Sequence, residues 1–495
     1  MLNKENKRLQ RTILEELKTQ DAVGNKCRWR IIRELAYEYK RNEEVNWQIQ
    51  VVPEDTVKNM LNLFPNTVSA QQILVLFSLE FIVELVSFYK IDPKKIGFIA
   101  DTKAEHTMAN FLGVRSHYMP KYKVTIDGTN DGDVDLNKVL ENIKKAKETF
   151  GMSKQDDTFD IVIGNPPYHE EDGGHAASSK SLYHRFIIAI ITTIGPEHFS
   201  FIIPSRWMAG GKGLDGFREW FIKGAGTDGI VITSLDKNGK INPDRKDLKR
   251  HIRTIVDYKE SVFPTGVNGT NISGGVCYFH WQKSYDGDCT FNGTKRDIGQ
   301  YDIVVRDEKS LPILQKVLTK HSGPYLDKRV LVRKPYGLST NFIDYSETPK
   351  PGFLGLWTSE GLKYVDKDKV PKNCAAYGTI KDWKVLISAA DGAAMVSGTI
   401  LSLIDIAKPN EICLETKLVA GTFNNEQEAK NYQGYLQTKF ARFMLSLRKI
   451  SQHNSVDRFS WVPDLDYKKL WTDIDLYKIF GLTQQEIEHV EKTIK

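Results

Sequence analysis

Asn165, Pro166, Pro167 and Tyr168 follow an apolar run, Ile161-Val162-Ile163-Gly164, that opens with Phe159-Asp160. A short apolar run ending in a Pro-Pro pair reads as a buried strand that delivers a stiff loop at its C-terminal end. In an open α/β sheet that end faces the ligand crevice. The residue types there suit one kind of chemistry. An amino group conjugated to an aromatic ring is a weak nucleophile, because its lone pair is delocalised into the ring. Two acceptors for its hydrogens favour the pyramidal nitrogen of a transition state. The Asn165 amide oxygen and the Pro166 carbonyl can be those acceptors, with the proline backbone holding the carbonyl in place. Tyr168 adds a ring for stacking, and the chemistry needs neither a metal nor an acid of unusual pKa. The competing reading is a rigid loop after a strand, since Pro-Pro pairs are common in loops.

The elements that must position this loop read as a doubly wound α/β sheet. Strand candidates are ILVLF from Ile73, IGFIA from Ile96, KVTID from Lys123, FDIVIG from Phe159, HFSFIIP from His198 and GVCYFHW from Gly275. Helical stretches, Glu80 to Tyr89 and LYHRFIIAIITTI from Leu182, lie between some of them, the alternation of βαβ units. A small helical element is expected over residues 1–65, with Ile13, Leu14 and Leu17 at helical spacing and a break at Pro53-Glu54-Asp55. The sheet domain then spans 66–285. Ser284 to Gln300 is polar and glycine-containing and marks a boundary. A mixed α+β domain occupies 300–495, with a long helix from Asn425 to about Ile450 and a last helix after Leu482.

A chain of 495 residues is long enough for two domains with separate cores. Its 40% hydrophobic and 27% charged residues are the proportions of a folded soluble protein. The formal charge of +6, from 69 Lys and Arg against 63 Asp and Glu, is too mild to establish a polyanionic partner by itself. Five cysteines, at 27, 277, 289, 374 and 413, form no CxxC pair or Cys/His grid, which argues against a disulfide framework and a structural zinc. No apolar run reaches spanning length and the N-terminus lacks signal-peptide character, so a cytoplasmic protein without membrane attachment is expected. The oligomeric state stays open, a monomer being compatible with the sequence.

The Asn165–Tyr168 loop resembles that of the amino-directed methyltransferases, in particular the type II restriction-modification adenine enzymes of the Taq-like and related large families. Gly173-Gly174-His175, the stretch Lys180 to Phe186, Phe201-Ile-Ile-Pro204-Ser205-Arg206-Trp207, Gly213-Leu214 and Phe217-Arg218 extend the resemblance. It implies a Rossmann-like core that transfers methyl from S-adenosylmethionine to the N6 of an adenine flipped out of double-stranded DNA. Asn165, Pro166, Pro167 and Tyr168 would be catalytic, and Phe279 would cover the other face of the base, with Tyr278 and Phe263 as neighbouring candidates. An ordinary core position is the alternative for Phe279. For the cofactor, Asp101 ends a strand where a ribose-binding acid is expected, although it can equally cap the next helix. The family's glycine turn is missing at Leu76-Phe77-Ser78-Leu79-Glu80, so either Ser78 and Glu80 build an alternative pocket, Glu80 attracting a cationic group of the cofactor, or the site has decayed. Asp127 is a further cofactor candidate, or a plain turn residue before Gly128.

In the C-terminal half, Arg333-Lys334-Pro335-Tyr336-Gly337 and a longer stretch from Glu415 through Tyr435 to Tyr477 resemble the target-recognition domains of the same enzymes. Arg333, Lys334, Lys439, Arg442, Arg448 and Lys449 are the candidate DNA contacts, with a solvated helix face as the alternative for those on the helix. The implied setting is restriction-modification or phage defence, without a nuclease on this chain. Two other functions remain: a catalytically silent, DNA-binding homologue such as a specificity or anti-restriction factor, and a methyltransferase acting on RNA or protein.

Overall fold

The computed structural model describes residues 52–65, 67–101, 105–106, 109–110, 112–119, 136–152, 157–168, 181–210, 214–223, 249–263, 272, 274–391, 400–449 and 453–494. The expected helices before residue 52, the strand ending in Asp127, and the segments 169–180 and 211–213 lie outside them. The chain divides into two compact units, Met1–Trp207 with Gly211–Asp302, and Met208–Gly210 with Ile303–Lys495.

The first unit is built on one sheet. In chain order its strands are β1 (Ile73–Leu76), β2 (Ile96–Ala100), β3 (Arg115–Tyr118), β4 (Ile161–Gly164), β5 (His198–Pro204), β6 (Ile252–Tyr258), β7 (Val276–Gln282), β8 (Cys289–Phe291) and β9 (Thr294–Arg296). They lie in the order β3-β2-β1-β4-β5-β7-β6-β8-β9. The first five are parallel, and β7 runs antiparallel to both β5 and β6. Strands β1, β2, β4 and β5 are buried throughout, as continuous apolar runs must be when both faces of a parallel sheet are covered. The fold is thus a doubly wound α/β sheet, and the strand order reverses between β1 and β4. Such a reversal opens a crevice beyond the carboxyl ends of the two strands.

Helices among the described residues of this unit are α1 (Glu54–Leu61), α2 (Leu79–Ser87), α3 (Leu136–Thr149), α4 (Tyr183–Ala189), which continues as a π-helical turn to Ile194, and α5 (Asp215–Lys223). Pro53 stands at the N-cap of α1, a position where a missing N–H costs nothing. One reading from sequence is corrected here. The polar stretch from Ser284 to Gln300 folds as the β8–β9 hairpin on the sheet edge.

The second unit holds two three-stranded sheets. One is β11 (Gly361–Asp366), β10 (Phe353–Thr358) and β14 (Glu411–Cys413); the other is β13 (Ile404–Ala407), β12 (Trp383–Ser388) and β15 (Lys417–Phe423). Its helices are α6 (Leu311–Lys320), α7 (Glu426–Gln437), α8 (Lys439–Ser446), α9 (Asp473–Phe480) and α10 (Gln484–Thr493). The single helix expected from Asn425 to Ile450 is two. Thr438 takes an extended conformation, ψ 147°, and its hydroxyl accepts the Ala441 N–H. The Asp473 carboxylate accepts the N–H groups of Lys439 and Phe440 at 3.1 and 2.8 Å. A capping arrangement restarts the helix. No helix among the described residues is long and apolar enough to cross a membrane.

Candidate active site

Gly164 ends β4 against Leu76 at the end of β1, where an added Cβ would lie 2.4 Å from the Leu76 carbonyl oxygen. Only glycine permits that approach. The Asn165 N–H then donates to the same carbonyl at 3.1 Å, so the Asn-Pro-Pro-Tyr loop starts at the strand-order reversal. At the other end of β4, the Asp160 carboxylate accepts the N–H groups of Gln71 and Gln72 at 2.7 and 3.0 Å, tying it to the start of β1. Asn165, Pro167 and Tyr168 are half-buried and Pro166 is buried. The Leu182 N–H closes the loop on the Tyr168 carbonyl at 2.9 Å.

The Tyr168 ring packs on the core cluster of the sheet, and its hydroxyl is buried with no hydrogen-bond partner among the described residues. Burial therefore holds its pKa well above the ordinary phenol value. The Phe263 ring lies 6.3 Å from it, tilted by 54°. Phe279 is elsewhere, which corrects the expected pairing. It is fully buried, with Phe199 and Phe221 edge-on at 5.2 and 5.0 Å. Side chains alternate across a strand, so Tyr278, not Phe279, shares the cluster against which Tyr168 packs. The aromatic wall beside Tyr168 is Phe263, five residues beyond the end of β6, a position without periodicity to flag it.

The turn after β1 forms without its glycine. Phe77 itself adopts the left-handed conformation, φ 58°, at a cost of about 1 kcal/mol, and its ring packs edge-on to Phe186 at 5.2 Å. The Phe77 N–H donates to Ile99 of β2 at 2.9 Å. Ser78 is the extended N-cap of α2, and its hydroxyl donates to Glu80 Oε2 at 2.6 Å. Among the described residues, the other Glu80 oxygen, Oε1, is buried and has no partner, and neither has Asp101 Oδ1 just past the end of β2. Both sit at the carboxyl edge of the sheet. Buried acceptors without donors are costly. These two suit a ligand that brings an ammonium group and hydroxyls. Asp127 lies outside the described residues.

Beyond β4, the Ser205 hydroxyl donates to the buried Asp257 carboxylate at 2.6 Å and the Ser205 N–H to the Gly275 carbonyl at 3.0 Å. This contact between β5 and β6 joins residues 52 apart in sequence and had no local signal.

The six proposed DNA contacts of the second unit divide. Lys449 is buried and its ammonium binds the Asp391 carboxylate, both side chains being fully buried. Ser402 and Asn454 also donate to Asp391, at 3.0 Å each. Burial alone would raise the Asp391 pKa, but Lys449 outweighs it and holds the carboxyl below its usual range. Arg448 is buried with its guanidinium 4.5 Å over the Trp461 ring. Lys439 pairs with Glu491 of α10 at 2.6 Å, and half-buried Arg442 donates to the Thr438 carbonyl at 3.4 Å. Burial within the second unit, not DNA contact, accounts for Lys449 and Arg448, which corrects the sequence reading for those two, while Lys439 stays partly exposed. Arg333 and Lys334 are exposed. Arg333 pairs with Glu415 at 3.0 Å and lines a groove of about 970 Å³ that Thr340, Lys417, His453 and Asn454 also line.

Residues 85–237 match the family model described as Eco57I restriction-modification methylase. A protein of Mycoplasma pneumoniae named an uncharacterized adenine-specific methylase is 30% identical over 148 residues, 30% of this chain and 28% of that protein. The methyltransferase subunit of a type I restriction-modification system from Streptococcus thermophilus is a distant structural neighbour. It shows 10% identity and a TM-score of 0.31 over 55% of this chain and 52% of that one. The chain therefore spans under a third of the first relative and about half of the second. Residues 85–237, which carry the Asn165–Tyr168 loop, are thus similar to the Eco57I restriction-modification methylase family, and the chain is similar over 148 residues to a protein named an adenine-specific methylase.

Proposed function

We propose that the protein is a site-specific DNA methyltransferase that modifies the N6 of an adenine flipped out of double-stranded DNA, in a restriction-modification or phage-defence setting. The observation that carries this reading is the start of the Asn165–Tyr168 loop at the strand-order reversal, on the same carboxyl edge of the sheet as the Glu80 and Asp101 oxygens that lack a partner among the described residues. The family match over residues 85–237 supports it. The first unit is the catalytic domain and the second recognises the target sequence.

S-adenosylmethionine supplies an electrophilic methyl group when bound. Glu80 would hold its ammonium and Asp101 its ribose hydroxyls. The Asn165 side-chain oxygen and the Pro166 carbonyl accept the two hydrogens of the adenine amine, so the nitrogen lone pair leaves conjugation with the ring. Tyr168 stacks on one face of the base, paying part of the unstacking cost with aromatic contact. As the nitrogen gains the methyl group it loses one proton to solvent. Because positive charge develops on the nitrogen as the methyl group is transferred, its N–H groups become more acidic in the transition state, and the two acceptors bind them most strongly where the barrier is.

The test is transfer of a tritiated methyl group from S-adenosylmethionine to unmethylated double-stranded DNA, with modified adenines mapped. Label is expected in one sequence context, reduced about 10²–10³-fold or more by Asn165→Ala. No label on any DNA, together with no cofactor binding by calorimetry, would overturn the reading in favour of a silent DNA-binding homologue.

A further inference from the structure

Arg206 follows β5 and stands between two anchored neighbours. Ser205 is tied to Asp257 and Gly275, and the buried Trp207 places its indole N–H 3.5 Å from Cys277 Sγ. The short 3-10 turn Ser205–Met208 therefore holds the Arg206 backbone rigidly. The Arg206 side chain is half-buried, yet it makes no hydrogen bond or ion pair among the described residues. The other described arginines of this unit are all engaged. Arg115, Arg218, Arg250 and Arg253 have hydrogen-bond partners at 3.0 Å or less, and Arg185 and Arg296 have interactions of their own. A half-buried arginine given no counter-charge among the described residues is free to take an anion brought by a ligand.

Strand order indicates which anion. Asp101 and Glu80 follow β2 and β1 on one side of β4, and Arg206 follows β5 on the other, with Asn165 between them. The parallel register sets Gly164 beside Phe201, so β5 carries Arg206 beyond the same carboxyl edge. The charge of Arg206 is also felt at Tyr183, the first residue of α4, which the chain enters after the Asn-Pro-Pro-Tyr loop. The cation therefore stands on the acceptor side of the site, away from the two acids suited to the cofactor.

We propose that Arg206 binds the phosphodiester adjoining the flipped adenosine and so holds the extruded nucleotide over Asn165. The inference rests on the function proposed above. A planar guanidinium can grip two phosphate oxygens at once, which fixes orientation as well as charge. Held this way, the flipped sugar-phosphate would not swing back into the duplex while the amine is aligned.

The experiment uses the full chain and a duplex containing the site mapped by tritium transfer. Arg206→Gln should raise the KM for DNA about tenfold. It should lower the salt dependence of DNA binding by about one phosphate contact and leave the KM for S-adenosylmethionine unchanged. Arg206→Lys should recover part of the loss. A duplex with a neutral methylphosphonate linkage beside the target adenine should cost the wild type a similar factor and cost Arg206→Gln nothing more. A wild type that methylates DNA while Arg206→Gln keeps its DNA KM and salt dependence overturns this inference alone. So does an Arg206→Gln defect confined to the KM for S-adenosylmethionine, which would make the anion the cofactor carboxylate. A wild type that transfers no methyl group overturns the underlying function, and this inference with it.

Discussion

Polar side chains at the carboxyl edge of the first unit and cations in the second unit have opposite fates. Along the edge, and among the described residues, Glu80 Oε1, Asp101 Oδ1 and the Tyr168 hydroxyl are buried without a donor or acceptor, and Arg206 carries a charge without a counter-charge. In the second unit, Lys449 has Asp391, Lys439 has Glu491, and Arg448 has the Trp461 ring. The two groups look alike in sequence, since each is a set of charged or polar residues near a suggestive pattern. What separates them is satisfaction. A buried polar atom that finds no partner within the protein destabilises the fold, so its retention calls for an outside ligand as explanation. A buried charge already neutralised by a neighbour is explained by stability, and removing it should disturb folding before it disturbs binding.

This contrast can be broken most directly at Lys449. Lys449→Met leaves the Asp391 carboxylate buried without its cation and should cost about 3–5 kcal/mol of second-unit stability in denaturant unfolding. The specific affinity of the protein that remains folded should be unchanged; a folded Lys449→Met variant with normal stability and lost DNA binding would reverse the assignment.

The first unit has a satisfied pair of its own. His198 and His280 meet ring to ring at 3.0 Å, and burial first, with the neighbouring His198 second, brings the His280 pKa down to about 3. An unfolded histidine titrates near 6.5, so the folded state resists a proton that the unfolded chain accepts. The stability linked to His280 is therefore complete above pH 6.5 and is lost as pH falls toward 3, by on the order of 1.4 kcal/mol per pH unit within that window. Thermal melts from pH 7 to pH 4 should show His280→Phe with a shallower acid decline than the wild type; parallel curves would exclude the pair as the source.

At the unsatisfied edge the expected loss is in binding. Glu80→Gln keeps the shape and the Ser78 contact but removes the negative charge, and should weaken S-adenosylmethionine about tenfold by calorimetry with little effect on the melting temperature. An unchanged affinity would leave the Glu80 oxygen without a role. The smallest effect belongs to Lys439. Its surface pair with Glu491 contributes about 0.2–1 kcal/mol, so Lys439→Ala should barely move stability and should leave the DNA salt dependence as it is.

Much of the first unit was legible because its signals are local. Ile73–Leu76, Ile96–Ala100 and Ile161–Gly164 are apolar runs of strand length bounded by turn residues, and the Pro-Pro pair after Gly164 marks a rigid exit whatever surrounds it. The Phe77 turn was not legible. A left-handed phenylalanine carries no sequence mark, and the ring contact with Phe186 that accompanies it comes from more than a hundred residues away. The break at Thr438 was missed for a related reason, since the carboxylate that caps α8 belongs to Asp473.

The sequence by itself determined the strand and helix periodicities, the α/β class and the chemical character of Asn165–Tyr168, all of which depend on residues within a few positions of one another. Tertiary structure alone decided which face of β7 Phe279 occupies, which aromatic ring stands beside Tyr168, and which cations retain a free charge. Strand register decides the first. The others depend on partners distant in the chain, such as Asp391, 58 residues from Lys449, and a side chain's electrostatic surroundings exist only once those distant segments have packed.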